Sequence, residues 1–302
     1  MSGLDLEALL GAQNIHLDND PILARGVSSQ CEALVWEDPS GPLKIYRANS
    51  GRSRRYRLKL GDEVAVDVIP GNRIAVASDS RAPQLTIDHF VADQVIPRVL
   101  SQTGGLVLHA GAVCDEQSAF LLLGPSGSGK STLAASFHHA GWRLMGDDAV
   151  VLSSGPGQPI ARAVYPSLRL FPDSIEALLP RDVAAQAMAH YSSKQRVDLP
   201  VAEHFRELQV PLKAIFILAE ACEERIAVRC LSAAKACMAI VENSFALDPG
   251  DAHRARLRME GASQVVRKVP TFAIDYPRDY ARLPEVRAAI ISKVGDCRPS
   301  ET

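Results

Sequence analysis

The feature that most constrains this chain is a glycine-rich motif, GPSGSGKS, that matches G-x-x-x-x-G-K-[ST] at every fixed position. The apolar run AFLLL precedes it and STLAASFHHAG follows it, so the expected context is a buried strand, a phosphate-binding loop and a helix. A glycine-rich turn without a ligand is the structural alternative. The predicted nucleotide-binding residues are Gly124, Pro125, Ser126, Gly127, Ser128, Gly129, Lys130, Ser131 and Thr132.

Each fixed residue type of the motif has a chemical reason. Glycines let backbone N–H groups converge on phosphate oxygens without obstruction by side chains. Lys130 brings a positive charge to the β- and γ-phosphates, and the Ser131 hydroxyl can bind Mg²⁺. The motif therefore predicts binding of a nucleoside triphosphate with Mg²⁺, and it does not separate a kinase from an ATPase, a GTPase or a nucleotide-gated regulator. ATP is the expected nucleotide, with the choice between ATP and GTP left open by the sequence.

A pair of acids follows the motif in the segment RLMGDDAVVL, next to the apolar residues of a predicted strand. One of the two carboxylates, Asp147 or Asp148, can bind magnesium while the other faces an acceptor hydroxyl. A tight Gly-Asp-Asp turn is the structural alternative. Because a pure nucleotide switch needs only the metal ligand, the second acid favours phosphoryl transfer.

The segments LHAGAV, FLLLGPSGSGKST and HHAGWRLMGDDAVVL together resemble the catalytic core of the HPr serine kinase/phosphorylase family, which includes relatives that phosphorylate lasso-peptide precursors. The resemblance is good over residues 106–152 and weaker to about residue 245. It implies an α/β fold in which a P-loop domain of the HPr kinase and phosphoenolpyruvate carboxykinase type follows a small β-rich domain. It also implies four roles: general base for Asp147, magnesium ligand beside Ser131 for Asp148, active-site histidine for His109, and the family's catalytic arginine for Arg169. The structural alternatives are a histidine satisfied within a sheet for His109 and a paired residue on a surface strand for Arg169.

Two departures from the family pattern bear on the reaction. Leucines flank Arg169, and the glutamate and glycine that neighbour the family's arginine are missing. Thr132 stands where the HPr enzymes carry an acidic residue. These departures favour kinase activity over phosphorolysis, and they leave the acceptor open between an HPr-like protein and a ribosomally made precursor peptide. The HPr enzymes form hexamers, so a homo-oligomer is a further expectation.

Two basic segments have competing interpretations. In YSSKQRVDL, Lys194 and Arg196 lie on one side of a predicted strand, where they either reach the γ-phosphate or an acidic peptide, or form a solvated face. The run GRSRRYRLKL could dock an acidic leader peptide or nucleic acid, but a charged strand edge that resists aggregation is the commoner explanation. No nucleic-acid-binding motif accompanies it, so no nucleic-acid partner is expected.

Composition sets the remaining expectations. The 33 basic and 35 acidic side chains nearly cancel, so no overall field favours nucleic acid or an anionic membrane. The six cysteines form no C-x-x-C pair, which indicates free thiols in a reducing compartment. The first residues lack the pattern of a secretory signal, and no apolar run is long enough to span a membrane. A cytoplasmic protein is the default.

The pattern of apolar residues predicts two domains, a small β-rich one over residues 1–84 and the P-loop kinase domain over residues 85–302. Five short β-rich runs lie between residues 26 and 77, and a helix with spacing typical of an amphipathic face begins near residue 84. The alternatives to a serine kinase are a nucleotide-binding regulator or ATPase without an acceptor, a small-molecule kinase, and a carboxykinase relative.

Overall fold

The computed structural model describes residues 5–18, 32–39, 41–50, 53–78, 82–165, 167–187, 193–197, 209–219 and 224–296. These residues form a mixed α/β protein with several sheets, as the sequence predicts. They fall into two compact units. The first contains the described residues up to Gly105 together with Phe245–Leu257, and the second contains the remainder from Leu106 onward. A domain boundary at residue 84 stays a prediction.

The first unit is built on a six-stranded sheet in the order β1-β6-β5-β4-β3-β2. Ile45, Leu58 and Val66 lie directly opposite one another across three neighbouring strands and are fully buried, so they form the centre of the apolar face. The strands are β1 (His16–Leu17), β2 (Glu32–Glu37), β3 (Leu43–Ser50), β4 (Ser53–Leu60), β5 (Val64–Ile69) and β6 (Arg73–Ser78). Helix α1 (Leu6–Ala12) precedes them, and the Asp5 carboxylate caps it by accepting from the Ala8 N–H at 2.9 Å.

The basic run lies in β4, and its interpretation as a charged strand edge is wrong. β4 pairs with β3 on one side and with β5 on the other, so its backbone groups are hydrogen-bonded on both sides. Its cations lie on the two faces of the sheet instead. The Arg57 guanidinium donates two hydrogen bonds, at 2.7 and 2.8 Å, to the buried Asp67 carboxylate, and Arg54 forms an ion pair with Asp251. Arg52 of this run lies outside the described residues.

The predicted helix after the sheet is confirmed. It consists of α2 (Gln84–Phe90), a π-helical turn (Val91–Val95) and α3 (Ile96–Leu100) without interruption. Pro97 lies at the start of α3 and has no N–H to donate to the preceding turn, which explains why the hydrogen-bonding pattern widens just before it.

The second unit contains a large sheet in the order β10-β8-β9-β16-β12-β11-β7, with β18 also beside β16 and β17 beside β18. β9, β16 and β18 are parallel neighbours. β10 is antiparallel to β8, which is antiparallel to β9, so β10 and β9 run in the same direction. The strands are β7 (Leu106–Leu108), β8 (Gly111–Cys114), β9 (Ala119–Leu123), β10 (Arg143–Gly146), β11 (Val150–Ser153), β12 (Ile160–Ala163), β16 (Gln209–Leu218), β17 (Ala227–Cys230) and β18 (Thr271–Asp275).

A separate three-stranded antiparallel sheet has the order β13-β15-β14. In the sequence its strands follow the acid pair and precede β16. Its members are β13 (Arg169–Leu170), β14 (Ala185–Ala187) and β15 (Gln195–Val197). This sheet carries the predicted site residues Arg169 and Arg196, and Lys194 immediately precedes β15.

Helices cover both faces of the large sheet, which explains why every residue of β9 is buried. Phe120 and Leu122 pack into the cluster that contains Phe137, whereas Leu121 and Leu123 pack into the cluster that contains Ile240. The helices are α4 (Lys130–His139), α5 (Pro172–Leu178), α6 (Ala233–Glu242), α7 (Ala252–Val266), a 3-10 helix (Tyr280–Arg282) and α8 (Leu283–Asp296).

Two further expectations concern cysteines and membranes. Cys114, Cys230 and Cys237 are free thiols, and the other three cysteines lie outside the described residues. Within the described part of the chain, no helix combines the length and apolar character needed to cross a membrane.

Candidate active site

The glycine-rich motif connects β9 to α4, the strand-loop-helix arrangement expected of it. Gly124, Gly127 and Gly129 all have positive φ, at 145°, 81° and 90°. At Gly124 a Cβ would lie 2.7 Å from the Leu218 carbonyl oxygen and 2.9 Å from the Ser128 Oγ, so only glycine fits. The Ser128 Oγ is buried without a hydrogen-bond partner among the described residues. A bound phosphate is the kind of group that would satisfy such an oxygen.

Lys130 is the first residue of α4 and folds back over the loop. Its Nζ donates to the carbonyl oxygens of Gly124, at 2.7 Å, and Pro125, at 2.9 Å. Burial lowers the pKa of this lysine to about 8; the charge of Lys194 and, less strongly, of Arg169 also lowers it, against an opposing contribution from Asp147. Because the neighbouring cations oppose its charge, an anion bound in the loop would stabilise the protonated form of Lys130.

The topology brings the acid pair to the same sheet edge as the motif. The motif follows β9, and Asp147 and Asp148 follow β10. Since these two strands run in the same direction, their carboxyl ends lie at one edge, which is where ligands bind in open α/β sheets. The segment RLMGDDAVVL is therefore two strands with the acids in the turn between them.

Both acids are buried, and hydroxyl and guanidinium groups surround them. The Ser167 Oγ lies 2.7 Å from Asp147 Oδ1 and 2.8 Å from Asp148 Oδ2, so one hydroxyl bridges the pair. Asp147 Oδ2 accepts from the Arg169 backbone N–H at 2.7 Å. Asp148 forms an ion pair with the Arg169 guanidinium, and its Oδ2 also accepts from the Tyr165 hydroxyl at 3.3 Å. The two carboxylates are thus held differently, the first by neutral donors and the second by a cation.

Arg169 belongs to a group of cations on the small sheet. It lies directly opposite Arg196 in the β13–β15 pair, so the two side chains share a face of that sheet. The Lys194 ammonium lies 5.4 Å from the centre of the Phe171 ring, and its charge acts on Lys130. The structure therefore brings Lys130, Arg169 and Lys194 together with the two acids. For Arg196 it gives only the register opposite Arg169.

His109 lies between β7 and β8, at the edge where the motif begins. It is half-buried, and its backbone N–H donates to the Asn243 carbonyl oxygen at 2.8 Å. The catalytic role of its imidazole stays a prediction.

Asn243 ends α6 and was not identified from the sequence. Its Oδ1 accepts from the Gly124 N–H at 3.1 Å, and its Nδ2 donates to the Ala239 carbonyl oxygen at 2.8 Å. Through its own carbonyl it also fixes the backbone of His109. This residue thus connects the first glycine of the motif to the end of β7. An asparagine at a helix C-terminus can be recognised in the sequence. Its contact with Gly124, 119 residues away in the chain, cannot.

Ser167 and Tyr165 were also missed, although both lie in the segment AVYPSLRLFPDS that supplies Arg169. Hydroxyl groups close to a predicted catalytic arginine are the available signal. Thr132 was predicted to bind the nucleotide, and in the structure its Oγ1 is within hydrogen-bonding distance of the Ser174 Oγ, at 3.2 Å. Ser131 is half-buried at the start of α4.

The donor set fits magnesium rather than a metal that needs an all-protein cage. The described residues contain no cluster of three or more His, Cys, Asp or Glu side chains that could hold a metal ion. Mg²⁺ is typically bound through one or two carboxylates, with substrate phosphates and water completing the shell. A hydroxyl on Ser131 and a buried carboxylate on Asp148 are oxygen donors of the kind that this ion prefers.

No model of a protein family and no curated protein matches the chain. Among solved structures, the chain is similar to one described as the structure of the Hpr(Ser) kinase/phosphatase from Coxiella burnetii, with 12% identity over 63% of this chain and 97% of that one. The TM-score is 0.31.

Proposed function

We propose that this chain is an ATP- and Mg²⁺-dependent kinase that transfers the γ-phosphate to a serine hydroxyl of a small protein or peptide. The observation that carries the proposal is the buried pair Asp147 and Asp148 at the sheet edge that also holds the glycine-rich motif. A phosphate-binding loop accounts for nucleotide binding. The second, differently held carboxylate is what a hydroxyl acceptor needs.

In the proposed reaction Asp147 is the general base. It takes the proton of the serine hydroxyl while the serine oxygen forms a bond to the γ-phosphorus and the bond between that phosphorus and the β-γ bridging oxygen breaks, which releases ADP. Each oxygen of Asp147 already accepts one hydrogen bond, from Ser167 or from the Arg169 N–H. A carboxylate oxygen has two lone pairs, so one acceptor position per oxygen remains for the substrate hydroxyl.

Magnesium would be held by Asp148 and Ser131, and it would neutralise charge on the β- and γ-phosphates. Asp148 also pairs with the Arg169 guanidinium, so its buried charge has a cationic partner.

The three cations Lys130, Arg169 and Lys194 exceed the two carboxylates, so the site has a net positive charge suited to a polyphosphate. Lys130 is the residue with most to gain, because a bound triphosphate would favour its protonated form. A guanidinium beside the transferred group could stabilise charge that develops during transfer.

The choice of acceptor follows from the sequence resemblance alone. It favours an HPr-like protein or a ribosomally made precursor peptide, and a small-molecule alcohol is the alternative within the same chemistry. The proposed site requires only that a serine hydroxyl reaches Asp147.

The test is intact-mass spectrometry of candidate acceptors, an HPr protein and a serine-containing precursor peptide, incubated with ATP, Mg²⁺ and enzyme. Asp147→Asn is the informative variant, because the amide keeps the size of the carboxylate and can still accept from the Arg169 N–H. Asp62→Asn is the matched control, since Asp62 is a fully exposed turn residue in the first unit.

We expect one acceptor to gain the mass of a phosphate with the wild type and with Asp62→Asn. Asp147→Asn should transfer at least about 100-fold more slowly, the lower range for a lost general base. ATP hydrolysis without any labelled acceptor, unchanged by Asp147→Asn, would instead favour the nucleotide-binding regulator or ATPase.

A further inference from the structure

The segment that follows β18 lies against the last glycine of the phosphate loop. A Cβ built on Gly129 would lie 3.0 Å from the Arg278 Nη1 and 3.0 Å from the Tyr276 hydroxyl oxygen. Gly129 is the residue immediately before Lys130, at the amino end of α4. A guanidinium and a phenol therefore border the loop at the helix terminus where phosphate would bind.

Arg278 is exposed, yet its head group is fixed. Its Nη2 donates to the Ala219 carbonyl oxygen at 2.6 Å, and the guanidinium carbon lies 4.4 Å from the centre of the Tyr276 ring. Tyr276 itself is buried. A long cationic side chain that is already ordered on an aromatic ring loses less freedom when it binds a ligand, which favours affinity.

The same segment also contacts the first turn of α4 through a chain of hydroxyl groups. The Tyr280 hydroxyl donates to Asp173 at 2.8 Å and lies 3.0 Å from the Ser174 Oγ, which in turn lies 3.2 Å from the Thr132 Oγ1. Two separate contacts, one at Gly129 and one through Ser174, thus hold this segment beside the loop.

The strand order shows on which side of the loop Arg278 lies. β10, which ends at the acid pair, is on one side of β9, and β16 and β18 are on the other. The acids and Arg278 therefore flank the loop from opposite sides. Since the transferred phosphate must lie towards Asp147, the rest of the nucleotide extends away from the acids and towards β16 and β18.

We propose that Arg278, held on Tyr276 and the Ala219 carbonyl, binds the non-transferred phosphates of the nucleotide. This inference rests on the proposed nucleotide-binding function. It assigns Arg278 to the α- and β-phosphates, whereas Lys130 and Arg169 act on the group that is transferred. Tyr276 is a positioning residue that orients the guanidinium.

The assignment makes a specific prediction about kinetics. Arg278→Ala should weaken MgATP and MgADP binding by a similar factor of roughly 10- to 100-fold, the effect of losing a charged hydrogen bond. It should raise KM for ATP by a like factor and leave kcat within about twofold, because the lost contact is equal in the ground and transition states. Arg278→Lys should recover part of the affinity, since it restores the charge without the planar fork.

The experiment is calorimetric titration of the wild type, Arg278→Ala and Arg278→Lys with MgATP and with MgADP, followed by steady-state kinetics on the acceptor. Arg282→Ala is the matched control, because Arg282 lies in the same segment but pairs with Glu285 on the surface. Thermal unfolding shows whether each variant is folded, and Arg278→Lys keeps the test valid if the alanine variant is not.

The outcomes separate this inference from the function on which it rests. Wild-type binding that Arg278→Ala leaves unchanged overturns the assignment of Arg278 and leaves the kinase proposal standing. A fall in kcat at unchanged KM also overturns it, since the arginine would then act on the transferred group. If the wild type binds neither nucleotide, the proposed function itself fails, and this assignment fails with it.

Discussion

Replacing Gly124 by alanine should be far more damaging than the same change at Gly127. The two glycines belong to the same loop, and both have positive φ. They differ in the space around them. A Cβ on Gly124 would lie 2.7 Å from the backbone carbonyl oxygen of Leu218, whereas a Cβ on Gly127 would meet nothing within 4 Å. Leu218 ends β16 and is paired with Ile274 of β18, so its backbone carbonyl cannot move aside as a side chain can.

The difference in the free energy of unfolding can be worked from these contacts. Alanine at Gly127 has the cost of a left-handed conformation, about 1–2 kcal/mol. Alanine at Gly124 has backbone strain of about 1–3 kcal/mol at a φ that side chains rarely adopt, and overpacking of about 1–3 kcal/mol against the carbonyl. The gain from a stiffer unfolded chain is the same in both and cancels. We therefore expect Gly124→Ala to be about 2 kcal/mol less stable than Gly127→Ala.

The chain offers a direct way to observe the unit that carries the loop. Of its two tryptophans, Trp36 lies in the first unit and Trp142 in the second. Trp142 packs against Phe137 and Phe120, with ring centres 5.2 and 5.1 Å apart. In a Trp36→Phe background, fluorescence during urea unfolding reports on Trp142 alone. With a slope of about 2–3 kcal/mol per molar, a 2 kcal/mol difference moves the midpoint by roughly 0.7–1 M.

Equal midpoints for the two variants would contradict this prediction, because the approach of Leu218 to Gly124 would then have no energetic consequence. A change in slope, rather than in midpoint, would mean that the unfolding transition itself has changed and that the midpoints cannot be compared.

Two further predictions concern the acid pair and the lysine. Ser167→Ala removes the hydroxyl that contacts both Asp147 and Asp148, so we expect kcat to fall about 10-fold. The exposed Ser153→Ala is the matched control and should leave kcat unchanged, and steady-state kinetics checks both variants. Burial lowers the pKa of Lys130 from 10.5 to about 8, so between these two pH values the unfolded chain keeps a proton that the folded chain has released. The free energy of unfolding of the wild type should therefore rise with pH over this range, relative to that of Lys130→Met, by up to about 3 kcal/mol. Urea unfolding of both proteins at pH 8 and pH 10 checks this, and parallel pH profiles would contradict it.

The parts of this structure that follow from local sequence were predictable. The motif requires glycines at its turns and a helix at its end, and both are present around Gly124 and Lys130. The apolar runs of the first unit form the strands expected of them, and the helix over Gln84–Leu100 follows from its apolar spacing. In each case the signal lies within a few residues of the element that it specifies.

Two contacts to the glycine-rich motif were not predictable, since strand order decides them. Asn243 reaches Gly124 only because α6 ends beside the start of the motif, and Arg278 reaches Gly129 only because β18 pairs with β16. The basic run was misinterpreted for the same reason. Its alternating charges are compatible with an edge strand, and only the pairing of β4 with both β3 and β5 excludes that position.

A magnesium titration of Asp147→Asn and Asp148→Asn distinguishes a general base at Asp147 from a metal ligand at Asp148. MgATP binding and single-turnover phosphate transfer would be measured for both variants across a range of Mg²⁺ concentrations. If Asp147 is the base and Asp148 the metal ligand, Asp147→Asn binds MgATP with wild-type affinity and does not transfer at any Mg²⁺ concentration. Asp148→Asn then needs more Mg²⁺ for both binding and transfer. Identical Mg²⁺ dependence in the two variants, with equal loss of transfer, would contradict the account.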